Sequence, residues 1–517
     1  KIITTDPLAI GGTSNSLRNI IKAWEADIKY YANYIIDEKF QIGVPYKQNG
    51  NEFIQTEIKL EDNLIQSISN LIEERNSEEQ KDLLTWVKLL TSHIPSFKKV
   101  AFDLEIDTDE DLRFPMADNP LDPISAISFK GSDNAKIVLL LDINDEMESD
   151  SFDSDFTIEI FNDEKQLIER AIEILQSYPF IITFNGDNFD VPYLNNRAIK
   201  LGIPKNKLQI NLGRTDARFK WGIHIDLYRF FLNRSIKIYA FQNKYDRNSL
   251  DEIGKTIINK SKINLTKNIS QLNSKELAEY CYRDSEITYD LTDFSNEIVI
   301  KLIILIARIS NMVVDDVSRL SVSNWIKNRL IKIHRDANYL IPLNEEISDK
   351  DTSKYSDPIT KGKKYIGALV VEPKPGVFFR VYVLDFTSLY PSIMKEYNIS
   401  YETVNCSDKE CQENIVPGTG HWICTLRKGI ISQFVGNIRD LRADVFKKMS
   451  KSNELDTDKK QFYDVVQNSL KVILNASYGV IGSEAFPFYY LPAAESITMI
   501  GRDVILKTIE KCEQLGL

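Results

Sequence analysis

This sequence has few cysteines and no long apolar run, and its acidic residues outnumber its basic residues. Its 517 residues contain five cysteines, too few for a disulfide scaffold of this size. The apolar run that comes closest to membrane-spanning length, residues 298–309, is too short and is interrupted by Lys301 and Arg308. No signal peptide is visible, and because the first residue is a lysine we expect the natural start to be missing. The sequence therefore predicts a protein without a membrane partner.

The charge balance argues against a protein coated in basic surface, since the net charge is −11 and the pI is near 5.2. Nucleic-acid binding is still compatible with it, because an enzyme can confine positive charge to one groove while acidic metal sites dominate the sum. The 43% hydrophobic and 27% charged residues are typical of a globular protein. A chain of 517 residues exceeds one core, so we expect about three or four domains.

The stretch from Val381 to Ile393 contains a first candidate site. Residues 381–384 are β-branched, aromatic or aliphatic and predict a strand buried on both faces. The strand would end at Asp385, and Thr387 and Ser388 suit the start of the next turn or helix. The carboxylate can bind a divalent cation and the helix start suits a phosphate, a combination typical of phosphoryl transfer. The alternative is a turn aspartate without a function.

A second candidate site begins in residues 98–107, which predict a buried strand. Because side chains alternate along a strand, Asp103 and Glu105 lie on one face and can share a metal ion. The alternative is a solvated strand end, since acidic sequence continues to Asp111.

Two later blocks extend this acidic set. Residues 180–184 form strand-like sequence that runs into the turn signal Asn185-Gly186, after which Asp190 opens a helix. An N-cap aspartate is the alternative for Asp190. In the next acidic helix, Tyr280 and Asp284 are one turn apart and face the same way.

Four acids and one tyrosine in this order suit two-metal hydrolysis of a phosphodiester. The acids would bind two cations, one cation would generate the hydroxide and the tyrosine would orient it. His224 and Asp226, at the end of another predicted strand, are interpreted as structural.

The acidic blocks resemble the exonuclease motifs D-x-E, N-x-x-x-F/Y-D and Y-x-x-x-D of family B DNA polymerases, in the same order. The resemblance implies a ribonuclease H-like sheet with flanking helices, in the tyrosine-containing branch of the DEDD exonucleases. The implied catalytic residues are Asp103, Glu105, Asp190, Tyr280 and Asp284, and the four acids among them would be metal ligands.

The stretch around Asp385 resembles the D-x-x-S-L-Y-P-S-I element of the same family. By this resemblance Asp385 would bind both catalytic metals, assisted by the Phe386 carbonyl. Tyr390 would lie under the incoming sugar and exclude a 2′-hydroxyl.

Residues 430–451 and 460–476 predict two antiparallel helices with inward-facing cations. Residues 471–479 resemble the family's K-x-x-x-N-S-x-Y-G element, with Ala476 where serine is usual. The resemblance implies that cations of these helices neutralise a triphosphate and that polar side chains line the nascent base pair. The implied nucleotide-binding residues are Phe386, Ser388, Leu389, Tyr390, Arg442, Lys471, Asn475 and Tyr478.

Cys406, Cys411, His421 and Cys424 are a third candidate set. Their C-x4-C-x9-H-x2-C spacing suggests a zinc site, although it matches no common zinc module. The segment 420–424 also resembles a G-H-x-x-C segment of archaeal family members, some of which bridge this cysteine to one upstream. The resemblance therefore implies a Cys411–Cys424 disulfide, a bond that is rare inside cells outside hyperthermophiles.

The resemblance is nearest to crenarchaeal replicative polymerases. Residues 365–368, Tyr-Ile-Gly-Ala, resemble the Y-x-G-G/A element between editing and synthetic domains, with a plain linker as the alternative. The implied segments are a partial N-terminal domain (1–98), a 3′–5′ exonuclease domain (99–300), a connecting segment returning to the N-terminal domain (301–376), the first part of the palm (377–428), the fingers (429–479) and an incomplete second part of the palm (480–517).

Family members carry a Y-G-D-T-D-S turn, which supplies a second polymerase carboxylate, and then a thumb domain. Neither is present before the last residue, Leu517. We therefore expect a fragment of a longer polymerase, or a split gene whose second chain supplies the rest.

The combined expectation is a multidomain α/β and α+β protein, a DNA-directed DNA polymerase with a two-metal mechanism and a 3′–5′ proofreading exonuclease for DNA replication. The alternatives are a 3′–5′ exonuclease or a DNA-binding replication subunit whose polymerase half is inactive or completed by a second chain. The implied cofactor is Mg²⁺, two per active site, with Mn²⁺ as a substitute. The implied partners are primer-template DNA, a single-stranded 3′ end, deoxynucleoside triphosphates and a sliding clamp or second chain, in the cytoplasm at the nucleoid.

Overall fold

The computed structural model describes residues 4–11, 15–21, 24–25, 28–108, 115–142, 155–265, 267, 269–350, 367, 369–373 and 375–516. The chain divides into two compact units. The sheet unit comprises His93–Ala307 and Val313–Ser321, and the helical unit comprises Lys1–Ser92, Arg308–Met312 and Val322–Leu517. None of the described helices is both long and apolar enough to span a membrane.

Where the structure describes it, the first part of the helical unit contains four α-helices and a β-hairpin. These are α1 (Leu17–Ile20), α2 (Tyr30–Asp37), β1 (Tyr46–Asn49), β2 (Glu52–Gln55), α3 (Asp62–Glu73) and α4 (Ser77–Thr91). Helix α4 starts at a capping box between Asn76 and Glu79. Helices α1 and α2 are separate, because Glu25 between them has a left-handed φ of 60° that a helix cannot include.

The described residues of the sheet unit form eight strands and seven α-helices. The strands are β3 (Lys99–Ile106), β4 (Ile124–Gly131), β5 (Lys136–Leu141), β6 (Thr157–Phe161), β7 (Phe180–Thr183), β8 (Ile210–Leu212), β9 (Ala217–Phe219) and β10 (Ile223–Asp226). The helices are α5 (Glu164–Gln176), α6 (Asp190–Lys200), α7 (Lys205–Leu208), α8 (Leu227–Leu232), α9 (Leu250–Ile253), α10 (Ser274–Ser310, whose last residues enter the helical unit) and α11 (Val314–Arg319). Helix α10 is interrupted by non-helical backbone from Phe294 to Glu297.

Six of these strands form one mixed sheet in the order β10-β7-β3-β4-β5-β6. Strand β3 pairs antiparallel to β4 and parallel to β7. The sheet is covered on both faces, because alternate residues join different cores: Leu139 packs with α5 and α6, whereas Val138 and Leu140 pack against α10. The predicted buried strands around residues 98–107 and 180–184 are confirmed.

The helical unit continues with α12 (Val322–Asp336), α13 (Asn344–Ser348), α14 (Leu389–Glu396), α15 (Ile430–Asp440), α16 (Lys447–Met449), α17 (Thr457–Ile481) and α18 (Leu491–Gln514). A π-helical turn, Leu441–Phe446, joins α15 to α16. This wide turn and α17 pack together, with Phe446 stacked on Tyr463 at a centroid distance of 5.8 Å. The two predicted basic helices are therefore present, the first of them with a π-turn in its middle.

Helix α10 does not continue into α12. It stops at Ser310, because Asn311 adopts a left-handed φ of 53° and its side chain accepts a hydrogen bond from the backbone N–H of Ile42 at 3.0 Å. A short helix and then α12 follow. Of the predicted element at 365–368, only Gly367 lies among the described residues.

The predicted buried strand at Val381–Leu384 is wrong. These four residues have no regular secondary structure and their exposed fractions lie between 67% and 88%. A strand needs a neighbour for its N–H and C=O groups and a layer over each face, and the described residues provide neither for this segment. The residue composition of this segment is typical of a buried strand, but composition does not show whether neighbouring strands are available to pair with it.

Candidate functional sites

Three carboxylates converge at the centre of the sheet unit. One oxygen from each of Asp103, Glu105 and Asp284 lies within 4.8 Å of the others. The alternation of β3 explains this, since Val100, Phe102 and Leu104 face the core with α5 and α6, and the residues between them face the side of α10. Asp284 on α10 therefore meets the two strand acids.

Asp190 approaches the same site from the start of α6. It is the first helical residue, and Phe189 occupies the N-cap, so the N-cap alternative for Asp190 is wrong. Asp190 is only 5% exposed, and its carboxylate accepts a hydrogen bond from the backbone of Leu104. The charge of Asp190 is the strongest neighbouring influence on the pKa of Asp103. The four predicted acids are thus brought together.

Burial raises the pKa of every acid in the cluster. The pKa of Asp103 is held well above its usual range by burial and by the charges of Asp190, Asp284 and Glu105. Burial and the charge of Asp284 raise the pKa of Glu105 to about 8, and burial raises that of Asp190 to about 7. Burial also raises the pKa of Asp284, against the opposing effect of Lys262. The cluster has too little positive charge for its carboxylates.

The donor set fits divalent cations. The Oδ1 atom of Asp284 is buried and accepts no hydrogen bond from the residues that the structure describes. Its other oxygen, Oδ2, lies 2.5 Å from Lys262 Nζ. All of the converging ligands are carboxylate oxygens, which Mg²⁺ and Mn²⁺ prefer. A buried oxygen without a donor is costly unless a cation or water completes it, so the residues fit the predicted metal cofactor.

Lys262 is the residue that the sequence did not reveal. Besides its ion pair with Asp284, its Nζ lies 5.7 Å from the ring centroid of Tyr280. Burial raises the pKa of Tyr280 to about 12, so its hydroxyl keeps its proton at neutral pH. Lys262 lies in an irregular segment with no periodic relation to the acids, and its role follows only from the tertiary contact.

His224 and Asp226 fix the turn behind the site. His224 is fully buried between Thr183 Oγ1 at 2.8 Å and the Ala217 carbonyl at 2.7 Å, and burial lowers its pKa to about 4. Asp226 accepts hydrogen bonds from the backbone N–H of Asn185 and Asp187 in the turn before Asp190. These contacts agree with the structural role predicted for both residues.

We expect the metal-free protein to lose stability as the pH rises from about 4.5 to about 8. In that interval the folded state holds a proton on Glu105 that the unfolded state has lost, so the free energy of unfolding falls with pH. Glu105→Gln should flatten this slope and raise stability near pH 8 by about 1–2 kcal/mol. Thermal melting in chelator at several pH values measures both effects.

The matched control for this prediction is Glu173→Gln, because Glu173 is an exposed acid of α5 in the same unit. It should leave the slope unchanged. An equal slope in wild type and Glu105→Gln would contradict the expected charge repulsion.

A second group of predicted residues meets in the helical unit. Ser388 is the N-cap of α14 with a left-handed φ of 54°, and its Oγ lies 3.3 Å from an Nη atom of Arg442 in the π-turn. The ring centroids of Tyr390 on α14 and Tyr478 on α17 are 4.4 Å apart. Helices that are distant in the sequence thus bring four of the predicted nucleotide-binding residues together.

Arg442 has the environment of an anion-binding residue. It is 9% exposed, burial lowers its pKa, and its Nε atom has no hydrogen-bond partner among the described residues. A buried guanidinium without a carboxylate is costly, and a phosphate would supply both charge and acceptors.

The remaining predicted residues are less enclosed. Lys471 is half-buried and Asn475 is exposed on the α17 face that includes Tyr478. Asp385 and Phe386 lie in the exposed segment before α14, and no described contact joins them to Arg442. Leu389 is the first residue of α14 and is half-buried. The site assignments of these residues stay predictions.

Comparisons with known proteins match most of the chain to one family. The sequence profile "DNA polymerase family B, exonuclease domain" matches residues 21–239, and "DNA polymerase family B" matches residues 315–516. The chain belongs to family B of the DNA polymerases. The predicted resemblance to crenarchaeal polymerases is confirmed. The predicted mixed fold class, α/β and α+β, is also confirmed.

Two relatives define the extent of the match. DNA polymerase 1 of Sulfolobus acidocaldarius is 40% identical over 520 residues, and DNA polymerase 1 of Sulfurisphaera ohwakuensis is 42% identical over 522 residues. Each alignment covers the whole of this chain and 59% of the relative. The chain therefore spans about three fifths of the length of these family B relatives.

A solved structure agrees in fold. The family B DNA polymerase from the hyperthermophilic archaeon Pyrobaculum calidifontis matches 99% of this chain and 61% of its own, with a TM-score of 0.65 and 21% identity. At this identity the match concerns the family B fold alone.

Proposed function

We propose that the complete protein is a DNA-directed DNA polymerase with a 3′–5′ proofreading exonuclease, and that this chain contains the whole exonuclease site and part of the polymerase site. The cluster of Asp103, Glu105, Asp190 and Asp284 carries this proposal. Four acids that converge from a strand and two helices, with raised pKa values and a buried oxygen without a donor, are a costly arrangement without a ligand.

The proposed cofactor is Mg²⁺, with Mn²⁺ as a substitute, held by these four carboxylates. When bound, the two cations supply charge neutralisation at the scissile phosphate and activation of the attacking water. The chain's own residues do the rest: Tyr280 donates a hydrogen bond from its protonated hydroxyl toward the attacking water, and Lys262 fixes Asp284 through their ion pair.

For the polymerase reaction we propose that Arg442 binds the triphosphate, beside Ser388 at the start of α14. Lys471 adds a second positive charge from α17, while Asn475 and Tyr478 contact the nascent base pair. Tyr390 lies under the sugar. The contact of Arg442 with Ser388 and of Tyr390 with Tyr478 supports one shared pocket.

Asp385 and the Phe386 carbonyl are the proposed metal ligands of the polymerase reaction. A single carboxylate does not suffice for two cations, so a second acid must come from elsewhere in the complete protein. The proposed partners are primer-template DNA, a single-stranded 3′ end, deoxynucleoside triphosphates and a sliding clamp, in the cytoplasm at the nucleoid.

Primer extension by the complete protein tests this function. We expect incorporation of nucleotides that is lost in Asp385→Ala, together with Mg²⁺-dependent digestion of single-stranded DNA that this substitution leaves intact. Digestion without any incorporation would instead identify an exonuclease whose second half only holds DNA. The absence of both activities in a folded protein would favour a DNA-binding replication subunit.

A further inference from the structure

The loop between α14 and α15 has a core made of cysteines. Two isolated β-bridges, Val404 with Ile423 and Ile415 with Trp422, fold residues 403–425 back on themselves. The buried hydrophobic cluster inside this fold consists of Cys406, Cys411 and Cys424, with Trp422 packed against it. Small folds with little aliphatic core are commonly held by a disulfide or a metal ion.

A carboxylate joins the three thiols. Cys406, Asp408, Cys411 and Cys424 each point one donor atom to the same place, and all four atoms lie within 4.8 Å of one another. The Sγ atoms of Cys411 and Cys424 are 3.8 Å apart, and Cys424 Sγ is 3.9 Å from Asp408 Oδ2. The three cysteines are at most 2% exposed.

We propose that Cys406, Asp408, Cys411 and Cys424 form a structural zinc site. A tetrahedral ion with Zn–S bonds of about 2.3 Å holds its sulfur ligands about 3.8 Å apart, the separation of Cys411 and Cys424. Three soft thiolates select zinc over Mg²⁺ and Ca²⁺, which prefer oxygen. Four ligands close the coordination sphere, as in structural rather than catalytic zinc sites.

The surroundings suit an anionic centre. Three thiolates and a carboxylate would leave a zinc complex with a net charge of −2, and Arg427 lies 2.9 Å from Asp408 Oδ2. The backbone N–H of Thr425 donates to Cys411 Sγ at 3.4 Å. Such outer contacts orient metal ligands and stabilise their charge.

His421 is not a member of the site, which corrects the spacing-based assignment. Its Nε2 lies 2.8 Å from Glu495 Oε2 on α18, and its Nδ1 lies 3.3 Å from the side-chain nitrogen of Asn405. Both ring nitrogens are engaged by other groups. The fourth ligand is Asp408, two residues after Cys406, which the spacing of cysteines and histidine does not include.

A disulfide accounts for less of the arrangement. All five cysteines are free in the structure, including Cys411 and Cys424. A disulfide between Cys411 and Cys424 would not explain why Cys406 and Asp408 also point their donor atoms to the same place. The metal uses all four.

The decisive experiment measures zinc in the full chain, purified under reducing conditions without chelator. We expect about one zinc per chain by elemental mass spectrometry, and a cobalt-substituted protein with the visible absorption of tetrahedral thiolate coordination. Cys406→Ser and Asp408→Asn should each lower zinc affinity at least about tenfold in competition with a chromophoric chelator. Cys512→Ser, a cysteine of α18, and His421→Gln should bind zinc like the wild type.

Three results would overturn the zinc site. One is a wild-type chain with neither zinc nor the cobalt spectrum. Another is a covalent Cys411–Cys424 bond, found by peptide mapping after thiols are blocked at lysis. The third is zinc that survives Cys406→Ser but is lost in His421→Gln. Because the first two are measured on the wild type, misfolding of a variant does not obscure the outcome.

Discussion

Asp103→Ala should lower digestion of single-stranded DNA by a factor on the order of 10²–10³ or more. Asp103 lies on the central strand β3, and its carboxylate interacts with Asp190, Asp284 and Glu105 together. Removal of the Asp103 carboxylate takes away a ligand that both proposed cations would share. The three remaining acids could then no longer hold two cations at a fixed separation. The measurement is the rate of 3′-end release from a labelled oligonucleotide at saturating Mg²⁺.

The control for this loss is again Glu173→Gln, an exposed acid outside the cluster. It should digest DNA at the wild-type rate. Asp103→Ala should still melt cooperatively, since the substitution removes a carboxyl whose burial and neighbours disfavour its charge. Wild-type digestion by Asp103→Ala would remove the central support for the proposed exonuclease.

Arg442→Ala should raise the KM for deoxynucleoside triphosphates in the complete protein by about 30- to 5,000-fold, the range for loss of a buried charged partner. The guanidinium is nearly enclosed, pairs only with the Ser388 hydroxyl among the described residues, and keeps an Nε atom without an acceptor. A triphosphate would meet these donors in a site from which water is largely excluded. Steady-state incorporation of single nucleotides measures the change.

Lys448→Ala is the matched control, since Lys448 is a cation of α16 whose side chain is 70% exposed. Its KM should stay within about twofold, because exposed charges contribute little. Arg442→Lys should recover only part of the affinity, as an ammonium lacks the planar fork of the guanidinium. Digestion of single strands by Arg442→Ala should be unchanged. Equal effects of Arg442→Ala and Lys448→Ala would contradict a specific phosphate contact.

Local periodicity predicted the convergence of these acidic residues well. The i, i+2 spacing placed Asp103 and Glu105 on one face, and the i, i+4 spacing placed Tyr280 and Asp284 on one helix face. The sequence does not predict the role of Lys262, because its position is set by a tertiary contact with Asp284. Spacing within one element does not encode such a contact.

The polymerase half was predicted less well from its residues. The apolar run at Val381–Leu384 predicted a buried strand, and the structure leaves it exposed without a partner. The contact between Arg442 and Ser388 joins residues 54 positions apart, which resemblance implied and composition could not. The sequence does not distinguish Asp408 from a surface acid, because only the folded loop brings it to the three cysteines.

The contact between Tyr390 and Tyr478 has a consequence for how substrates enter. At a centroid distance of 4.4 Å the two rings fill part of the proposed pocket themselves. A nucleotide would therefore enter by exchange, replacing a ring–ring contact worth about 0.5–1.5 kcal/mol with contacts of its own base and sugar. A triphosphate without base and sugar could bind Arg442 but could not replace the ring–ring contact that is lost when Tyr390 and Tyr478 separate. Discrimination against incomplete substrates would then begin with the opening of the pocket, before any template base is read.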